Sequence, residues 1–503
     1  MHRLFRLGVA LGVFGLVLAA SVETALAERL DPAQAAAHAG SLLAKETAAS
    51  PGNAATPAGR ADDETFLKRV SLDIIGELPT PEEVTAFVLD PQADKRVRLV
   101  DRLLTSKQFG QNWGRYWRDV IMFRRTEDRA LLAAGTLEDY LTEALNKDTP
   151  WDEIARSFIT ATGDIREKGE TALIMAQMGE TAETTAEVAR IFLGIQIQCA
   201  KCHDHPTDRW KRKQFHELAA FFPRLEIRPV RSAAQRSFEV VSVDSTPRFR
   251  PPNQRRGTLE HYMPDLQDPT AEGTLMQPKF FVTGHVVDAG KADLDRRQAL
   301  ANLITGPSNP WFARAYVNRI WAEMVGEGFY EPIDDMGPDR QCSAPETLAF
   351  LADQFRANRH DVKWLFRTIA ATEVYGLASR SRRTSEGTPF AANCAQRMRA
   401  DQLFNALTTA LGVPSLDSAG GQRRGGGGAG RFGGVRFLFG QAFGYDPSEP
   451  RDEIAGSRIP RCGRTSTRPA TWRCWSTHPL PACGPLRTSW RRRLDRPVRT
   501  RLA

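Results

Sequence analysis

The residues with the densest chemistry lie in one stretch, CAKCHDHP, from Cys199 to Pro206. Two thiols three positions apart can bond to one ligand, and the imidazole of the next residue is placed to donate a nitrogen. Cys199-x-x-Cys202-His203 is the pattern of c-type haem attachment, with a thioether from each cysteine and His203 as ligand to the iron. The same stretch supports other chemistry. Cys199 and Cys202 with His203 or His205, and Asp208 just beyond, are the donor types of a structural zinc site. Cys199 and Cys202 can also close a disulfide, redox-active in some C-x-x-C units, although no βαβ pattern surrounds them. Unbridged structural thiols are a fourth reading. His203, Asp204, His205 and Asp208 would serve a metal-dependent hydrolase, but four ligands this close in sequence seldom close on one ion. Asp204, His205 and Pro206 are not required by a haem anchor and stay unexplained by it.

No single residue stands out as a second axial ligand. Met175 and Met178 lie upstream, Met263 and Met276 downstream, and His216, His261 and His285 are further choices. A buried methionine is more often core filler than ligand, and His216, in FHELAAFF, reads as a packed helical residue. In the second half, Asn318, Arg319 and Trp321 (VNRIW) and Asp334 and Asp335 (PIDDMG) are polar points that read as caps and ion pairs.

The elements around the motif are mostly helical. Residues 28–61 form an Ala/Pro-rich linker with a short helix. LPTPEEVTAFV has Thr80 as N-cap, Pro81 at the first helical position and Glu83 at the third, a capping box. Phe109, Trp113, Trp117 and Ile121, four apart, make one apolar helical face that reads as core. DTPWDEIARSFI starts a helix with Thr149 as cap. ETTAEVARIFLGIQIQC carries Val188, Ile191, Phe192 and Ile195 at helical spacing, which predicts that the cysteine motif sits at a helix C-terminus. FEVVSVD and KFFVTGHVVD read as short strands between residues 225 and 290. Helical periodicity resumes in RRQALANLI, PWFARAYVNRIWAEMV, PETLAFLADQF, DVKWLFRTIAATEVY and ADQLFNALTTALG. The fold class is therefore mainly α, with two helical blocks, 62–224 and 291–418, joined by a small β-containing segment, 225–290.

The chain of 503 residues is 41% hydrophobic, in the globular range. MHRLFR, an apolar run and Ala25–Ala27 read as a secretory signal over residues 1–27, which predicts a periplasmic or secreted protein with no integral membrane span after cleavage. The net charge of +8 is a property of the end of the chain. Residues 458–503 hold 12 Arg, no Lys and one acidic residue, Asp495, a net of +11 that leaves −3 for the rest. That acidic body excludes a nucleic-acid partner as the meaning of the high pI. The tail has no helical or strand period and reads as a frame-shifted or disordered basic segment, so Cys462, Cys474 and Cys483 are set apart from the motif. Residues 419–435 are a Gly-rich linker without the Lys-Ser/Thr of a phosphate loop.

FLKRVSLDIIGELPTPEEVTAFVLD, DKRVRLVDRLLTSKQFGQNWGRYWRDV and FLGIQIQCAKCHDHPTDRWKRKQFHELAAFF resemble the first half of planctomycete-type, cytochrome-associated secreted proteins, a domain of unknown function. DRRQALANLITGPSNPWFARAYVNRIWAEMVGEGFYEPIDDMG and LAFLADQFRANRHDVKWLFRTIAATEVYGLASR resemble the second domain of unknown function that follows it. Residues 436–457 are similar to the family's C-terminal approach, and the chain departs from that pattern after Pro460. The resemblance implies a secreted c-type-cytochrome-like protein with haem attached at Cys199, Cys202 and His203. It implies electron transfer with an exported redox or sulfatase-like partner. It leaves His205 and Asp208 without a role and implies no established reaction. A scaffold holding a structural metal or disulfide remains the alternative to haem, and a metal-dependent hydrolase the next.

Overall fold

The structure, a computed structural model, describes residues 28–48, 56–231, 236–244, 259–268, 270–380, 388–413 and 434–449. Residues 1–27, where the sequence predicts a signal, residues 419–433 of the Gly-rich stretch and the basic tail lie outside the described residues. Among the described residues, α1 Pro32–Ala48 lies in the 28–61 segment, and nine helices come from the first block: α2 Asp63–Ile75, α3 Pro81–Leu89, α4 Lys95–Leu104, α5 Lys107–Met122, α6 Ala134–Asn146, α7 Trp151–Thr160, α8 Ala172–Ala176, α9 Thr181–Leu193 and α10 Arg212–Ala219. The rest are α11 Asp293–Thr305, α12 Trp311–Val325, α13 Pro345–Ala357, α14 Val362–Ala371, α15 Ala400–Ala410 and α16 Val435–Phe443. The protein is mainly α.

The strands are few and short. β1 Gly163–Asp164, β2 Leu225–Val230 and β3 Ser237–Ser242 form an antiparallel sheet in the order β1-β3-β2, with Leu225 opposite Ser242 and Val230 opposite Ser237. β4 Tyr262–Met263 pairs with β5 Thr274–Leu275, and β6 Lys279–Phe280 with β7 His285–Val286, each antiparallel. β8 Ser379–Arg380 and β9 Asn393–Cys394 make a short parallel pair.

Local rules account for many boundaries. Asp62 caps α2 by accepting from the Thr65 amide at 2.7 Å. Thr80 and Glu83 exchange bonds at the start of α3, as the capping-box pattern requires. Three boundaries differ from the sequence expectation. α7 begins at Trp151 with Pro150 in the N-cap position and no side-chain cap, so Thr149 does not cap it. α14 stops at Ala371 and turns before Tyr375. α9 ends at Leu193, because Gly194 takes a left-handed φ of 67° and closes the helix. The cysteine motif therefore does not sit at the helix C-terminus: Cys199 lies in the next turn, a 3-10 segment from Ile197 to Lys201, and Cys202 and His203 follow directly after it.

Helices of both blocks build one core. Phe109, Trp113, Trp117 and Ile121 of α5 are all buried. Phe109 and Trp113 meet Phe366 of α14 edge to face, at centroid distances of 5.3 and 4.6 Å. Trp117 stacks on Tyr316 of α12 at 5.7 Å, and Trp151 of α7 approaches the same ring at 4.5 Å. Each such pair adds roughly 0.5–1.5 kcal/mol beyond simple burial.

A buried polar network crosses the same boundary. Arg190 of α9, 2% exposed, donates to Glu187 at 2.6 Å, to the Val120 carbonyl at 2.7 Å, to Asp334 at 2.7 Å and to Ser448 at 2.9 Å. Arg319 of α12 also pairs with Asp334, and Ser448 donates to it at 2.5 Å. The two guanidinium groups hold the Asp334 carboxyl far below the usual range against the opposing effect of burial. Asn318 binds the turn that leads to Asp334: its side chain accepts from the Phe329 and Tyr330 amides and donates to the Tyr330 and Ile333 carbonyls. Asn318, Arg319 and Asp334 are thus structural, as their caps-and-pairs reading anticipates.

Candidate functional site

The Cys–His loop leaves α9 through Gly194, and the tightness of that exit is enforced by packing. A Cβ on Gly194 would lie 2.5 Å from Met336 Sδ, and the Gly194 carbonyl accepts from the Met336 amide at 2.8 Å. Ile195, Ile197 and Ala200 then bury inward and anchor the 3-10 turn. Their neighbours face out: Cys199, Cys202 and His203 are exposed. Gln198 and Lys201 are tied back to Glu183 of α9 at 2.9 and 3.1 Å.

His203 Nδ1 lies 2.7 Å from the Asp204 carbonyl oxygen. A carbonyl can only accept, so Nδ1 carries the proton and Nε2 keeps its lone pair in the neutral ring. That tautomer, set by a backbone carbonyl, is the arrangement seen for metal-ligating histidines.

Asp204, His205 and Pro206, unexplained by a haem anchor, lie in the part that closes the loop. Asp204 Oδ1 accepts from the Arg212 amide at 3.0 Å, at the start of α10, and Oδ2 pairs with Lys211 at 3.1 Å. The Arg212 amide and Lys211 lower the Asp204 carboxyl. The His205 amide donates to the Trp210 carbonyl at 2.8 Å, and its Nδ1 receives the Thr207 amide at 3.4 Å. Burial, then the nearby Arg340, push the His205 imidazole below its ordinary value.

Asp208 packs against the turn after α12. Its side chain is 1% exposed and faces Arg340 at 4.0 Å. Oδ1 accepts from the Arg209 amide at 2.7 Å, whereas Oδ2 is buried without a hydrogen-bond partner. Burial raises its carboxyl. Among the described residues, no three His, Cys, Asp or Glu side chains stand together as a ready metal site.

Two histidines from the axial-ligand candidates lie behind the loop. His216 Nε2 is 3.0 Å from the Lys201 carbonyl, between the two cysteines in sequence, and its Nδ1 is 2.8 Å from His261 Nε2. The carbonyl fixes the direction: His216 donates to Lys201, and His261 donates to His216. The rings lie nearly parallel, 5.1 Å apart. Burial lowers both, His261 to about 4. Met263 is two residues past His261 in β4, Met175 and Met276 are buried, Met178 is partly buried, and His285 is exposed in β7. No local pattern announces the His216–His261 pair, because 45 residues separate its members.

Residues 47–226 match the family PSCyt2, described as a protein of unknown function (DUF1549), and residues 296–425 match PSD1, likewise of unknown function (DUF1553). The chain carries these two domains side by side. No curated protein and no solved structure matches it. The Cys–His loop and α10 fall within the PSCyt2 match, whereas α12 and the turn bearing Asp334 and Arg340 fall within the PSD1 match. No described helix is long and apolar enough to cross a membrane.

Proposed function

We propose that the loop Cys199–His203 is a c-type haem attachment site and that the protein is an exported electron carrier. The observation that carries this reading is the combined exposure of Cys199, Cys202 and His203 with the His203 tautomer set by Asp204. Both thiols are accessible for thioether bonds, and the one nitrogen left with a lone pair is the one an iron would take. The donor set therefore fits the group. When bound, haem c supplies one-electron cycling of its iron.

The chain's own contributions are positional. Glu183 and His216 hold the turn between the cysteines from two sides. Asp204 orients His203 and ties the loop to α10. The exposed position of the motif suits exchange of electrons with a partner protein at short range. An exported redox or sulfatase-like protein is the partner that the family resemblance suggests, and the N-terminal signal pattern suits haem attachment outside the cytoplasm.

The zinc alternative is less well supported. Asp204 and the His205 amide serve in closing the loop, and Asp208 lies against Arg340. The test is production of the Cys199→Ser, Cys202→Ser variant beside the parent chain in cells with a haem c maturation system. The parent should keep its haem through acid–acetone extraction and the variant should lose it. Equal, extractable haem in both, or stoichiometric zinc without haem in the parent, would sink the proposal.

A further inference from the structure

We propose that the turn Asp334–Arg340 of the PSD1 domain is the positioning element of the Cys–His loop in the PSCyt2 domain, so that the two domains build one site. The inference takes the loop as the functional site, and so rests on the reading above.

Three contacts carry it. First, the Asp208 carboxylate lies directly on Gly337: a Cβ built there would stand 1.8 Å from Oδ2 and 2.8 Å from Cγ. Only a glycine leaves that space, and Asp208 is too short and too buried to swing clear. Second, Arg209 pairs with Asp339 through Nη2 at 2.5 Å and Nε at 3.2 Å, on the outer rim of the same contact. Third, the Met336 amide donates to Gly194 where the loop leaves α9. The turn thus touches the loop at its start and at its far end.

The turn is itself rigid. Asp334, at its head, is held by Arg190, Arg319 and Ser448 in the core, and Asp335 pairs with Arg340 at 2.7 Å. A fixed PSD1 turn therefore sets where residues 203–211 lie, and with them the direction of His203. This gives a physical reason for the two domains to share a chain. Asp208, Arg209 and the turn residues act through the loop and need not touch any ligand.

Amide hydrogen exchange on the full chain reads the loop with or without haem, so failure of the haem reading leaves this test intact. Gly337→Ala should speed exchange of amides 203–207, the His205 amide above all, by about tenfold, the scale of a modest overpacking penalty. Amides of α5 and α6 should not change. Adding Asp208→Ala removes the clashing group, while the Arg209–Asp339 and Met336–Gly194 contacts remain, and should bring amides 203–207 part of the way back to the parent. If Gly337→Ala loosens the whole chain, Asp339→Asn decides, since it lies at the surface. It should speed the same amides by about threefold, while Asp339→Glu, which keeps the pair with Arg209, should not. Unchanged exchange at 203–207 in a folded Gly337→Ala chain, no rescue by Asp208→Ala, or equal exchange in Asp339→Asn and Asp339→Glu would overturn the proposal.

Discussion

Both ring nitrogens of His216 are committed, one to the Lys201 carbonyl and one to His261, and the pair is stable only while neutral. Burial holds both below the ordinary histidine value, His261 to about 4. In the unfolded chain each takes up a proton as pH falls through about 6.5. Between about 6.5 and 4 the unfolded state therefore binds more protons, and stability must fall as pH drops through that window. Denaturant unfolding at pH 7 and pH 5 should show a smaller loss for His261→Gln than for the parent, and equal losses would contradict the argument. Asp208 shows the opposite sign. Its raised carboxyl means that the charged form is disfavoured in the fold at neutral pH. Asp208→Asn keeps the shape over Gly337 and the bond from the Arg209 amide, so stability at pH 7 should stay level or rise by up to about 1 kcal/mol. A clear loss in the same unfolding assay would mean that pairing with Arg340 outweighs the cost of burial. Residue identity alone made His216 and Asp208 visible as candidates in the sequence. Their directions were not visible, because each is set by a partner dozens of residues away.

At the scale of elements, local chemistry is legible where the deciding partner is close in sequence. Thr80 and Glu83 satisfy each other's amides within one turn, and the sequence pattern names both. Thr80→Ala should cost about 1 kcal/mol in denaturant unfolding, and no measurable cost would contradict the cap. The α5 stripe is legible for the same reason: a four-residue spacing is enough to declare a buried face. The end of α9 departs from the sequence expectation because Ile195 continues the apolar period past Gly194. A left-handed glycine pressed against Met336 ends the helix regardless of that period. Thr149 likewise has the right type for a cap, yet the helix starts one residue later, at a proline-led turn. The displaced helix end bears on function, since it puts both cysteines on a short exposed turn instead of at the C-terminus of the helix.

At the scale of the molecule, the two helical blocks are bound by aromatic packing and by buried arginines, Arg190 among them, with Arg297 on the Ile159 and Ala161 carbonyls and Arg319 on Tyr116. Arg190 joins α9, the α5 carbonyl of Val120, Asp334 and Ser448. Arg190→Ala should destabilise the chain by about 3–5 kcal/mol, because it strands the buried Glu187 and leaves Asp334 to Arg319 and Ser448 alone. A loss under about 1 kcal/mol in equilibrium unfolding would show that the network is dispensable. None of this hub was legible beforehand beyond the presence of Asp334 and Arg319 as polar points, since a buried ion pair has no period and no spacing. The mainly helical class and the β-containing connection were legible, because both rest on periodicity. The most direct measurement on the central claim is the intact mass and visible spectrum of the parent chain, purified from cells that attach haem c. One covalent haem per chain and a Soret band are expected. A chain of unmodified mass with no Soret band, from cells that load a control cytochrome, would contradict it.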